Sequence, residues 1–142
     1  MTRPVAAVIA VTWRGEEVLL VRRHNPPNAG LWGFPGGKVE FGEPILVAAE
    51  RELLEETGVR GEARAAFDAV DVIGERGGHV PGYHYLLVAV LVDWRSGEPV
   101  ADDDVDEAAW FRWDALPDGL LANVVRVGER ARSLFAPDTA RR

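Results

Sequence analysis

Residues 37–59 read GKVEFGEPILVAAERELLEETGV, and the rest of the chain is best understood outward from this stretch. Pro44 suits the first turn of a helix and Gly58 its C-terminal stop, so a helix is expected between them. Leu46, Val47, Leu53 and Leu54 give it apolar contacts on two sides, the pattern of a helix held between a sheet and a loop. At about 100° per residue, Glu55 and Glu56 fall roughly 60° and 40° to either side of Glu52, so the three carboxylates share one face. Like charges at these spacings repel by a few tenths of a kcal/mol each, and the macrodipole at a helix C-terminus favours cations. A solvated acidic face is the plain reading of such a cluster taken alone. Here the pair Gly36-Gly37 lies just upstream and has no side chains to block a cation or a phosphate. A bound cation would account for the clustered charge.

Upstream, Val5–Thr12 and Glu17–Arg22 are β-like runs on either side of Arg14-Gly15, which reads as a hairpin. The stretch from His24 to Gly30 contains Pro26 and Asn28 and reads as a loop, and Trp32–Val39 as short, irregular strand. Downstream, Ala66–Ile73 and Tyr83–Trp94 read as longer strands joined by a loop over Gly74–Gly82, and Ala108–Trp113 as a short strand. Leu120–Phe135 has helical spacing, with Leu121, Val124, Val125, Val127, Ala131 and Leu134 as its apolar positions. The tail 136–142 is expected to fray. The order β-β-β-α-β-β-β-α points to an α/β fold with a mixed sheet and helices packed on it.

The 142 residues are expected to form one domain, with hydrophobic and charged fractions of 47% and 27%. Apolar runs such as Val5–Val11 are far shorter than the ~20 residues of a membrane span, so no membrane partner is expected. There is no cysteine, which excludes disulfides and thiolate chemistry, and a cytoplasmic setting follows. A net charge of -7 argues against a nucleic-acid partner, because duplex binding needs a basic surface. If the substrate is a phosphate compound, metal ions and local arginines must offset that charge.

Gly37, Glu43, Arg51, Glu52, Leu53, Glu55, Glu56, Gly58 and Val59 occupy every fixed position of the Nudix box, and the chain resembles a Nudix hydrolase. The resemblance implies the Nudix fold, an α/β/α sandwich over residues 1–142, and cleavage of a nucleoside diphosphate linked to another group. The segments RRHNPPNAGLWGFPGGKVEFGE (22–43), GYHYLLVAVLV (82–92) and GEPVADDD (97–104) are similar to the ADP-ribose pyrophosphatase-like branch. Triphosphate pyrophosphohydrolases of the family carry GGKVE-x-GE segments as well.

Hydrolysis of a pyrophosphate needs neutralised phosphate oxygens and an oriented water, and magnesium, with its preference for oxygen ligands, supplies both. By resemblance, the Gly36 carbonyl, Glu52 and Glu56 would hold Mg2+, with Mn2+ as a substitute. Glu55 would be a further ligand or the water-activating base. Arg51 would orient neighbouring glutamates, and Glu43 would tie the loop to the helix. A surface ion pair for Arg51 and a dipole-satisfying residue at the helix start for Glu43 are the structural alternatives. Asp104, in the cluster Asp102–Asp104, is the candidate for the late-loop carboxylate that in several family members completes a metal site or acts as base; a solvated acidic turn is the alternative.

For the substrate itself, Arg22, Arg23 and Lys38 are candidate phosphate contacts, with surface positions as the alternative. Trp32 and Tyr85 are candidates for stacking on a base or ribose, with core packing as the alternative. ADP-ribose would give AMP and ribose 5-phosphate; a nucleoside triphosphate would give a monophosphate and pyrophosphate. A non-catalytic nucleotide sensor is the reading from another class, though it would tolerate loss of glutamates that are all present here. The implied partner is a small nucleoside diphosphate derivative, and a homodimer is one arrangement the family uses.

Overall fold

A computed structural model describes residues 3–26, 28–77, 80–102 and 104–135 of the chain. Strands β1 (Val5–Arg14), β2 (Glu17–Arg23), β3 (Trp32–Gly33) and β4 (Gly36–Lys38) precede helix α1 (Ile45–Thr57). Strands β5 (Arg60–Gly77), β6 (Val80–Ser96) and β7 (Val105–Arg112), then a 3-10 turn at Trp113–Ala115, lead to helix α2 (Val124–Phe135). All the strands join one sheet in the order β3-β2-β1-β6-β5, with β4 paired to β1 and β7 to β2. The β1–β6 pair is parallel and the others are antiparallel, so the sheet is mixed, as expected.

Strand alternation divides the core into two layers. Val8 and Ala10 of β1 and Leu19 of β2 pack with Ala48, Ala49 and Leu53 of α1. Val11 of β1, with Val18 and Leu20 of β2, packs with Val124, Val127 and Ala131 of α2. The helices therefore cover opposite faces of the sheet, which is the expected sandwich. Among the described residues no helix is long and apolar enough to cross a membrane.

β5 starts at Arg60 and not at Ala66, β7 spans Val105–Arg112 and not Ala108–Trp113, and four further boundaries differ from expectation for a local reason. The first hairpin turns at Gly15-Glu16 and not at Arg14-Gly15, because Gly15 takes the positive φ of 62° that the turn needs. The irregular strand over 32–39 is two short strands, since β3 pairs with β2 while β4 crosses to β1. The loop expected over Gly74–Gly82 is strand on both sides, with β5 running to Gly77 and β6 starting at Val80. Gly74 there makes room for the Tyr83 ring opposite it, and Pro81 sits at a register shift, where a missing N–H is tolerated. Finally, α2 begins at Val124 and not at Leu120, because Trp32 takes up the backbone before it: Trp32 N–H donates to the Gly119 carbonyl and Leu121 N–H to that of Trp32. The tail expected to fray at 136–142 lies outside the described residues, as does Asp103.

Candidate active site

The glycine segment is pinned to β1 from both sides. Ala10 N–H donates to the Pro35 carbonyl at 2.7 Å, and Val39 N–H to that of Ala6 at 3.0 Å. Between these bonds, Gly36 and Gly37 pair with Ile9 and Val8. A Cβ on Gly36 would run into the Val8 carbonyl, and one on Gly37 would lie 2.5 Å from the Glu52 carboxyl carbon. Bare backbone is thus required at Gly36 for β4 to lie against β1, and at Gly37 for Glu52 of α1 to approach this closely.

Helix α1 starts after Pro44, whose extended ψ of 146° makes it the residue before the first turn, and stops at Gly58 with φ 74°. Its last turn carries no basic residue. Glu52 and Glu56 are each only 8% exposed and face the glycine segment; the Gly36 N–H donates to Glu56 Oε1 at 3.0 Å. Burying two carboxylates this close together is costly unless something neutralises them.

Arg51 supplies part of that neutralisation. Its Nη1 donates to Glu52 Oε1 at 2.9 Å and to Glu55 Oε2 at 3.2 Å. Its Nε and Nη2 donate to the two oxygens of Glu43 at 2.7 and 3.0 Å, and Nη2 also reaches the Lys38 carbonyl at 3.0 Å. One guanidinium therefore joins β4, the connecting turn and three glutamates. The turn is closed by Glu43 itself, whose N–H donates to the Glu40 carbonyl and whose Oε1 accepts from Glu40 N–H. The Arg51 hydrogen bond, helped by that Glu40 N–H, holds the Glu43 carboxyl at about 2, well below its usual 4.5. The Glu43 bond in turn raises the Arg51 pKa further above its already high value.

The helix brings Glu52, Glu55 and Glu56 to one side, but as they stand their side chains do not converge. Among the described residues no group of three acidic or histidine side chains is gathered closely enough to hold a metal ion. Arg51 draws Glu55 away, and its side chain is 47% exposed. The donor set still fits a hard divalent cation. Two buried carboxylates meet a side-chain-free backbone segment, one arginine is shared among three glutamates within 3.2 Å, and Glu55 is half exposed.

The other candidates lie at varied distances from this network. Lys38 enters it through its carbonyl, while its side chain is exposed. Arg22 pairs with Glu107 at 2.7 Å, and Arg23 ends β2 where the pairing with β7 shifts register. Trp32 belongs to the core on the α2 side, 9% exposed and edge-on to Phe111 at 4.9 Å, so packing takes up the ring that was a candidate for stacking. Tyr85 is partly exposed and lies 5.7 Å from the Tyr83 ring on the same face of β6. Asp104 is exposed and its carbonyl accepts from His24 N–H. Asp102, two residues earlier, is the one whose N–H bonds the Glu56 carbonyl, at 3.1 Å. Sequence spacing within an acidic run carries no signal that would have separated the two.

The family model described as the NUDIX domain matches residues 1–130. The ADP-ribose pyrophosphatase of Methanocaldococcus jannaschii is 32% identical over 114 residues, covering 80% of this chain and 65% of that protein. The NAD-capped RNA hydrolase NudC of Haemophilus influenzae is 32% identical over 111 residues, covering 76% of this chain and 39% of its own length. The chain thus spans less than two thirds of either relative. The crystal structure of the MutT NUDIX hydrolase from Burkholderia pseudomallei superposes with a TM-score of 0.80 at 32% identity, over 90% of this chain and 98% of that one.

Proposed function

Because this chain belongs to the NUDIX domain family, we propose that it is a magnesium-dependent pyrophosphohydrolase whose preferred substrate is ADP-ribose, cleaved to AMP and ribose 5-phosphate. The observation that carries this reading is the pair of buried carboxylates, Glu52 and Glu56, turned toward a glycine segment that has no room for side chains. In this proposal Glu52 and Glu56, with the Gly36 carbonyl, would hold the cation, and Glu55 would be a further ligand or the proton acceptor. When bound, the cation neutralises charge on phosphate oxygens and polarises the attacking water. Arg51 fixes the Glu52 and Glu55 carboxylates. Glu43 fixes Arg51, so both act as positioning residues. Asp102, whose N–H bonds the Glu56 carbonyl, takes the place of Asp104 as the proposed late-loop carboxylate. Arg23, Lys38 and Tyr85 are proposed substrate contacts around this centre, and Arg22 contributes through its pairing with Glu107.

ADP-ribose is favoured over other substrates by the likeness to the pyrophosphatase of that name. The net charge of -7 argues against an RNA substrate and favours a small one. A chain without cysteine suits a cytoplasmic setting. Product analysis with magnesium over a panel of ADP-ribose, other nucleoside diphosphate sugars, dinucleotides and nucleoside triphosphates tests the proposal. The expected result is a clear preference for ADP-ribose with AMP and ribose 5-phosphate as products. Preference for triphosphates, with pyrophosphate released, overturns the substrate assignment but keeps the chemistry. No turnover of any panel member overturns the enzyme reading and favours a nucleotide sensor.

A further inference from the structure

Arg14, the last residue of β1, lies outside the glutamate network, yet it holds a loop that leads into it. Its guanidinium lies over the Trp110 ring at 4.2 Å and the Trp94 ring at 5.2 Å from their centroids. From that position Nη1 donates to both carboxylate oxygens of Glu98, at 2.8 Å each. Trp94 comes from β6, Trp110 from β7 and Glu98 from the connection between them, so one side chain touches both strands and the start of that connection. Trp94 Nε1 adds a bond to the Gly97 carbonyl at 2.9 Å. Gly97 has φ 95°, and a Cβ there would lie 3.0 Å from the Gly58 carbonyl, so the loop passes tightly over the end of α1.

Beyond Gly97 the loop bonds directly to that helix end. Val100 N–H donates to the Thr57 carbonyl at 2.9 Å and Asp102 N–H to the Glu56 carbonyl at 3.1 Å. Carbonyls in the last turn of a helix have no partners within it, and here the loop supplies them. The Asp102 backbone is thereby tied to the residue that carries a central carboxylate of the site. An ion pair in solvent would hold such a loop weakly. Arg14 is better suited, because its side chain is 29% exposed and its planar fork rests against two indoles while it engages both oxygens of Glu98.

We propose that Arg14 is a positioning residue: its clasp on Glu98 holds loop 97–102 against the C-terminal end of α1, and so fixes the Asp102 backbone on that of Glu56 for hydrolysis. The catalytic consequence rests on the pyrophosphohydrolase reading; the clasp itself does not. Amide hydrogen exchange and steady-state kinetics on the full chain test both parts, using Glu98→Gln, Arg14→Lys and the double variant. Glu98 is a largely exposed side chain, so its variant keeps the fold even if the Arg14 variant is impaired.

In each single variant the Val100 and Asp102 amides should exchange about tenfold faster while those of Val8–Val11 in β1 keep their rates. The kcat for ADP-ribose should fall about tenfold with KM changed less than about twofold, as expected when ground-state binding is intact. The double variant should be no worse than the poorer single one, because both substitutions open the same clasp. Unchanged protection at Val100 and Asp102 in both single variants overturns the clasp. Faster exchange with unaltered kcat overturns its link to Asp102. If the wild type turns over nothing, the function reading fails, and the exchange comparison still supports or overturns the clasp.

Discussion

Arg51 bonds Glu43, Glu52, Glu55 and the Lys38 carbonyl at once, which makes the Glu43 carboxylate part of the site without placing it on the carboxylate face. This coupling has a pH signature. Glu43 is lowered from 4.5 to about 2, chiefly by the Arg51 hydrogen bond. A depressed carboxylate contributes stability that is complete above the unfolded value and lost as pH falls through the folded one. The stability gap between wild type and Glu43→Gln should therefore be full at neutral pH, shrink between 4.5 and about 2, and vanish below that. Denaturant unfolding across this range measures it, and a constant gap would contradict the ion pair as its source. At this scale the sequence was readable for backbone angle and not for reach. The helical rotation of about 100° per residue turns Arg51 away from Glu52, yet its long side chain brings the guanidinium back to both Glu52 and Glu55, a role that only the family resemblance implied. Asp102 and Asp104 show the same limit, since a run of identical residues in a loop does not say which one meets the helix.

The place of β4 between β1 and α1 makes two adjacent glycines unequal. A methyl group at Gly36 meets the backbone carbonyl of Val8, which cannot move without disturbing β1. One at Gly37 meets the end of the Glu52 side chain, which can rotate away. Gly36→Ala should thus lose about 1–3 kcal/mol of stability, the usual cost of overpacking. Gly37→Ala should unfold near the wild-type temperature but lose at least about tenfold in turnover through a displaced Glu52. Thermal unfolding and ADP-ribose hydrolysis on both variants decide this; equal effects on stability would contradict the packing described. The element pattern itself was well marked in the sequence. Helix α1 falls between Pro44 and Gly58 as expected, and the alternation in β1 and β2 assigns residues to the two core layers. The β5–β6 hairpin was masked by Gly74 and Pro81, which normally signal a loop. Here one accommodates a cross-strand tyrosine and the other sits at a register shift.

Across the whole molecule, a mixed sheet lies between two helices, with the carboxylates at the end of α1 where the glycine segment and the β6–β7 connection meet. Element order predicted the layers, but not that β4 crosses to β1 or that the connection caps α1. Those contacts join residues far apart in the chain, and local patterning carries no record of them. The arrangement explains how a chain of net charge -7 can be organised around more buried acid, provided a cation completes the site. The most direct measurement is turnover of ADP-ribose with magnesium by wild type and Glu56→Gln, with thermal unfolding run alongside. The substitution removes a charge and little volume, and its amide oxygen can still accept from Gly36. The account predicts an intact fold with turnover reduced by about a thousandfold or more, roughly 4 kcal/mol in the barrier. Turnover near the wild-type level would contradict it.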